Sequence, residues 1–184
     1  QLRESLSFPA DLDFERTKSL LWERIIRLSQ ASYGCLVAWR DEELRVERRW
    51  NGEPADDGGN RPARSGGRNG HDEGFPRSMV QYAFRTGQPV QTDNVLQDDL
   101  FRDDPYFHGC EGDGTICCLP LRLQEETAGV LYLEFPASAR PPQDRQRHAL
   151  TALSAQTLFY SRLSETLQAQ AVGGGTEAAA GRSA

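Results

Sequence analysis

The stretch TICCLPLRLQEETAGVLYLEF, Thr115 to Phe135, constrains the fold more than any other part of the chain. Two apolar runs, Ile116–Leu123 and Val130–Phe135, flank a polar turn that holds Glu125, Glu126 and Thr127. Both runs are short, suited to strands and bounded by turn residues, so they predict a long β-hairpin at the centre of a sheet. Pro120 cannot donate to a ladder and is expected at a bulge or an unpaired position. Gly129 opens the second run, where a Cβ is expected to be unwelcome. Period-two alternation puts Cys117, Leu119 and Leu121 on one face and Ile116 and Cys118 on the other. Both rows are apolar, so the pattern leaves open which face meets which layer.

Before the hairpin, a helix is predicted from Asp11, with Asp11 or Asp13 as its cap. Phe14, Leu21, Ile25 and Leu28 recur at helical spacing, and Gly34 can supply a left-handed end. Cys35–Arg40 predicts a strand, and Asp41 and Glu42 a turn. Leu44, Val46, Arg48 and Trp50 then alternate with Arg45, Glu47 and Arg49, as in a half-exposed edge strand blunted by its charges. Residues 51–74 are dense in Gly, Asp, Asn and Arg and predict a long mobile loop. Their glycines form no phosphate-binding fingerprint. Pro76 suits a first helical position, and Met79, Val80, Ala83 and Phe84 give a short helix that Gly87 and Pro89 end. Val90–Thr92 predicts a short strand. Residues 93–114 are acidic yet carry Leu96, Leu100, Phe101, Tyr106 and Phe107, so they are expected to fold over the sheet as a lid with one or two helical turns.

The last helix is predicted from Pro141–Pro142 to about Gln170. Leu150, Leu153, Thr157, Tyr160 and Leu167 form one stripe, and Ala149, Ala152, Phe159 and Leu163 a second. One stripe can cover the sheet. The other needs the N-terminal helix or a second copy of the chain, so a homodimer is expected.

One domain over residues 11–171, with tails at 1–10 and 172–184, fits the 184 residues. A net charge of −6 argues against nucleic acid or an anionic membrane as partner. No run is apolar enough to span a bilayer, and no signal-peptide pattern opens the chain. Cys117 and Cys118 point to opposite faces of a strand and make a poor disulfide framework, so reduced thiols and a cytoplasmic location are expected. The sequence opens on Gln1 and is expected to be a piece of a longer protein.

The order helix, hairpin, loop, short helix, strand, lid, hairpin, helix resembles a GAF domain. The stretches FPRSMVQYAFRTGQPV, DDPYF, ICCLPL and GVLYLEF and the helix from Pro141 carry the resemblance, over roughly residues 11–170. The set is similar to the GAF modules of bacterial multi-domain sensor kinases. The resemblance implies an α/β (α+β) fold: an antiparallel sheet with the terminal helices on one face and the lid on the other. It also implies a sensory or signal-relaying domain joined to an output module. The Asn-Lys…Phe…Asp-Glu signature of cyclic-nucleotide-binding members is absent, since Val95 follows Asn94 and Arg102 follows Phe101. His108-Gly109-Cys110 matches neither bilin-attachment pattern of the family.

Three kinds of chemistry are weighed. The resemblance to free methionine-R-sulfoxide reductase makes Cys110 and Cys117 a candidate thiol pair, but Asp103, Asp104, Glu111 and Asp113 oppose a thiolate at Cys110. His108 with Cys110, Cys117 or Cys118 is a candidate metal or haem set, though no C-x₂₋₄-C pair supports a structural zinc. The preferred reading has no catalytic residue: a small-molecule pocket between sheet and lid, lined by Phe101, Tyr106, Phe107, His108 and either Cys117 or Cys118. The acidic lid favours a neutral or cationic ligand unless Arg77 or Arg102 compensates. The ligand, and any cofactor, stays unidentified. The rival is a ligand-free dimerisation or packing module.

Overall fold

The computed structural model describes residues 13–51, 74–108 and 114–173. The expected tails, apart from Val172 and Gly173 at the end of the last helix, and the expected mobile loop, apart from Asn51 and Gly74, lie outside the described residues. The elements are α1 (Phe14–Ser29), β1 (Tyr33–Arg40), β2 (Glu43–Asn51), α2 (Arg77–Thr86), β3 (Val90–Thr92), β4 (Thr115–Leu123), β5 (Glu126–Phe135) and α3 (Asp144–Gly173). Two single-turn 3₁₀ helices, Val95–Gln97 and Pro105–Phe107, shape the lid.

The strands form one antiparallel sheet in the order β2-β1-β5-β4-β3, with the predicted hairpin β4–β5 at its centre. Pro120 falls where β4 has β5 alone as neighbour, since pairing with β3 stops at Cys118. The bulge lies one residue further on, between Leu121 and Arg122. Gly129 is well inside β5, and a Cβ there would stand 2.3 Å from the Val37 carbonyl oxygen.

Asp13 caps α1 by accepting from the Arg16 amide at 2.9 Å. The left-handed end is supplied by Gln30 (φ 55°) and not by Gly34, which lies in β1 under the Trp50 indole. A Cβ on Gly34 would sit 2.1 Å from that ring, so the glycine there makes room for a side chain. Pro76 is the residue before α2, not its first turn, and Gly87 (φ 64°) closes the helix with its N–H on the Ala83 carbonyl.

Two cores sandwich the sheet. On one face α1 and α3 cover Leu36, Cys117, Leu119, Leu121, Leu131 and Leu133, with Trp22, Ile25, Leu150 and Leu158 above them. On the other, α2 and the lid bring Met79, Val80, Phe101 and Phe107 over Cys35, Val37, Ile116, Cys118, Val130 and Tyr132.

Strand β2 departs from simple alternation. Its register slips against β1 between Leu36 and Val37, leaving Glu47 as the extra residue. Leu44 and Val46 therefore pack on the lid side, while Trp50 joins the helix-side core edge-on to Trp22 at 5.1 Å. Helix α3 also differs from its pattern. Its buried seam runs through Leu150, Ser154, Thr157, Leu158, Ser161 and Ser164, whereas Phe159 and Leu167 stand about half exposed. Tyr160 packs against Phe14 of α1 at 6.1 Å between ring centres.

Candidate functional site

The lid is fixed to the molecule by a carboxylate. Asp104 is buried, and it accepts from the Ser78 amide at 2.8 Å, the Ser78 hydroxyl at 2.6 Å and the Tyr106 amide at 2.9 Å. Pro76 has no side chain able to cap α2, so Asp104, brought in by the fold, takes that part and binds the positive end of the helix. Replacing Asp104 with Ala strands donors that now face a buried acceptor. Hydrogen exchange of the 101–108 amides should then accelerate roughly 10- to 100-fold, while exchange in β4 and β5 holds. Unchanged lid exchange would show that Asp104 is not the anchor.

Beneath the anchored lid lies a polar cluster that the sequence reading missed. Glu134 is buried within β5, and the hydroxyls of Tyr106 and Tyr132 both donate to its Oε1 at 2.7 Å. Tyr106 belongs to the lid and Tyr132 to the sheet, so one carboxyl oxygen ties the two layers together. The rings meet edge-on, Tyr106 to Tyr132 at 6.1 Å and Tyr33 to Tyr132 at 6.2 Å. The Tyr33 hydroxyl donates to the Gly74 carbonyl at 2.5 Å. Burial, then the charge of Glu134, holds the Tyr106 and Tyr132 phenols well above their ordinary value, which keeps both as hydrogen-bond donors. The backbone of Glu134 faces the other way. Its carbonyl accepts from the Ser32 amide at 2.9 Å and the Ser32 hydroxyl at 3.1 Å, in the connection from α1 to β1.

The predicted site residues divide. Phe101 and Phe107 are buried in the lid-side core, Tyr106 is half-buried on Glu134, and His108 is exposed at the lid's edge. Of the two strand cysteines, Cys118 faces the lid, while Cys117 packs into the helix-side core and is not under the lid. Arg77 lies elsewhere, in a cleft beside α2. The signal for Glu134 was present, since period two places it on the face of Tyr132, inside a run that is otherwise apolar.

The described thiols are poor nucleophiles. Cys35, Cys117 and Cys118 are fully buried and unpaired. Burial pushes Cys117 up to about 12, with Arg147 pulling the other way, and burial likewise raises Cys35 and Cys118 well above the ordinary thiol value. Among the described residues no His, Cys, Asp or Glu group is arranged to hold a metal, and no helix is long and apolar enough to cross a membrane. Cys110 lies outside the described residues.

A family profile described as GAF domain matches residues 12–159. This chain belongs to the GAF domain family. As a GAF domain it is 32% identical, over 79 residues, to hybrid signal transduction histidine kinase G of Dictyostelium discoideum. The match takes in 43% of this chain and only 2% of that kinase. Among solved structures, a GAF domain/HD domain protein from Geobacter sulfurreducens superposes with a TM-score of 0.62 at 11% identity, over 84% of this chain and 95% of that one. A domain of a two-component sensor histidine kinase protein from Sinorhizobium meliloti gives 0.56 at 12% identity, over 85% and 95%. A type II free methionine-R-sulfoxide reductase from Thermoplasma acidophilum gives 0.51 at 14% identity, over 79% and 94%. These likenesses establish the GAF fold, which sensor kinases and an enzyme share.

Proposed function

We propose that this GAF domain is a regulatory module that reads a small cationic or neutral molecule beneath its lid and passes the result to an output module through its terminal helices. The Tyr106–Glu134–Tyr132 contact carries this reading. A buried carboxylate walled by tyrosine rings suits an organic cation, through charge and through the ring faces. A ligand that takes Glu134 competes with Tyr106 and so releases the lid. The Glu134 carbonyl, held by Ser32, links the same residue to the end of α1, which packs along α3. Binding would thus bias two lid states and the helix pair together.

A thermal-shift screen with choline and putrescine, alongside nucleotides, free amino acids, haem and tetrapyrroles, tests this. An organic cation should raise Tm, and Glu134→Gln should abolish the shift. If no cation acts, or the shift survives in Glu134→Gln, the lid is a packing element. That rival draws on Phe101 and Phe107, which already fill much of the space over the sheet.

A homodimer through the helices belongs to the same proposal. It draws on α3 hiding serines while Leu20, Phe159 and Leu167 stay exposed. Light scattering should give twice the 20.5 kDa chain mass. Phe159→Glu with Leu167→Glu should return a monomer with an unchanged circular dichroism spectrum. A monomer in the unaltered protein at high concentration would leave those side chains without a partner of this kind.

A further inference from the structure

A concave surface lies away from the lid, between α2 and the β1–β2 turn. It is a cleft of about 190 Å³ lined by Trp39, Leu44 and Phe84 together with Glu42, Glu43, Arg77, Gln81 and Arg85. Trp39 is 40% exposed on a β-strand, and its indole stacks on Phe84 at 5.0 Å with 23° between the planes. The floor is therefore a flat aromatic pair whose apolar surface is only partly covered.

Two of the charges around that floor, Glu42 and Arg85, are opposed but not joined. Glu42 and Arg85 both line the cleft, and among the described residues neither makes an ion pair. Asp41 and Glu42 turn the chain with positive φ, 48° and 65°, so the hairpin tip holds Glu42 in a tight primed-type turn. Arg85 stands in the last turn of α2. Carboxylate and guanidinium thus sit on separate elements of one cleft, with no ion pair between them.

We propose that this cleft binds a free α-amino acid with an apolar or aromatic side chain. The ligand's ammonium meets Glu42, its carboxylate meets Arg85, and its side chain lies on Trp39 and Leu44. The cleft is smaller than the ~300 Å³ at which pockets for drug-sized ligands begin, which fits a ligand of this size. A zwitterion satisfies both unpaired charges at once, whereas a simple anion or cation leaves one of them facing its own sign.

The site connects to the helix bundle through the next residue of the strand. Arg40 points to the opposite face, where its Nε meets Glu47 at 2.8 Å and its Nη1 meets Glu165 of α3 at 2.6 Å. Movement of Trp39 and movement of α3 therefore share one strand end.

The test is titration of the full chain with L-phenylalanine and L-leucine, followed by calorimetry and by the indole N–H resonance of Trp39, assigned with Trp39→Phe. The controls are N-acetyl-phenylalanine amide, phenethylamine and phenylpropionate, which lack one or both charges. Saturable binding of the zwitterions is expected, weakened about 10-fold or more in Glu42→Gln, in Arg85→Gln and for each control. Both replaced side chains are on the surface, so the variants should stay folded, and Glu134→Gln should leave this binding intact. Absence of saturable binding, equal binding of the neutral amide, or full affinity in both charge variants would overturn the proposal.

Discussion

Stability should fall steeply once the pH passes 9. Cys35, Cys117 and Cys118 ionise near 9.0 in the unfolded chain, and Tyr106 and Tyr132 near 10.0, whereas burial holds all of them protonated in the folded one. The folded values are raised, so the stabilisation is complete below the unfolded value and is lost as pH climbs from it toward the folded value. Above its own unfolded value, about pH 9 for the thiols and 10 for the tyrosines, each such group is ionised in the unfolded chain alone and removes about 1.4 kcal/mol of stability per pH unit. Three thiols acting together amount to roughly 4 kcal/mol per unit, against a total of about 5–15 kcal/mol for an ordinary domain. Urea midpoints measured at intervals from pH 7 to 11 should be level at first and then collapse. Cys117→Ala should flatten the fall, even though it weakens the protein at neutral pH by opening a small cavity. A midpoint steady to pH 11 would mean that the thiols reach solvent in the native state.

A single added carbon should cost heavily in Gly129→Ala. The new Cβ would lie 2.3 Å from the Val37 carbonyl oxygen, 2.8 Å from Leu158 Cδ1 and 3.2 Å from the Ala38 Cα. A leucine tip can rotate away, but a carbonyl bound into the β1–β5 ladder cannot move without breaking the pairing of Ala38 with Gly129. Overpacking a core commonly costs about 1–3 kcal/mol, and a backbone clash at the middle of the sheet belongs at or above the top of that range. Gly87→Ala is the comparison. Its backbone is left-handed, but its Cβ meets only the Thr127 hydroxyl at 3.6 Å, so about 1 kcal/mol is expected. Denaturant midpoints decide the matter, and a Gly129→Ala protein as stable as Gly87→Ala would show that the strands separate more easily than the close contact implies.

The sheet was legible because its central strands are plain. The apolar runs around residues 116–123 and 130–135 admit few other structures, and the short strand 90–92 is bracketed by its own turn residues. The faces were harder to read. Cys117 and Cys118 were known to diverge, but both rows of the strand are apolar, and only the packed structure says that Cys118 meets the lid. Glu134 gives little signal by itself, since a single acidic residue at the end of an apolar strand does not say what it will face. Helix α3 misled for the opposite reason. Leucine and phenylalanine mark an expected inner face, and serine carries no hydrophobic signal. Yet Ser154, Ser161 and Ser164 are turned inward alongside Leu150 and Leu158, while Phe159 and Leu167 are not. Whether a small polar residue is buried depends on what faces it, and that is a tertiary fact.

The extra residue in β2 makes the length of that strand, more than its composition, the property the domain cannot change. Losing Glu47 would exchange few contacts of its own beyond the one to Arg40. It would, however, shift everything downstream by half a pleat. Trp50 would swing away from Trp22, Arg48 would leave Glu15, and the hollow that Gly34 provides would open to nothing. Drift by substitution is cheap at many positions along this charged edge, whereas a single-codon deletion between Val46 and Arg48 is expected to be tolerated far less than any replacement there.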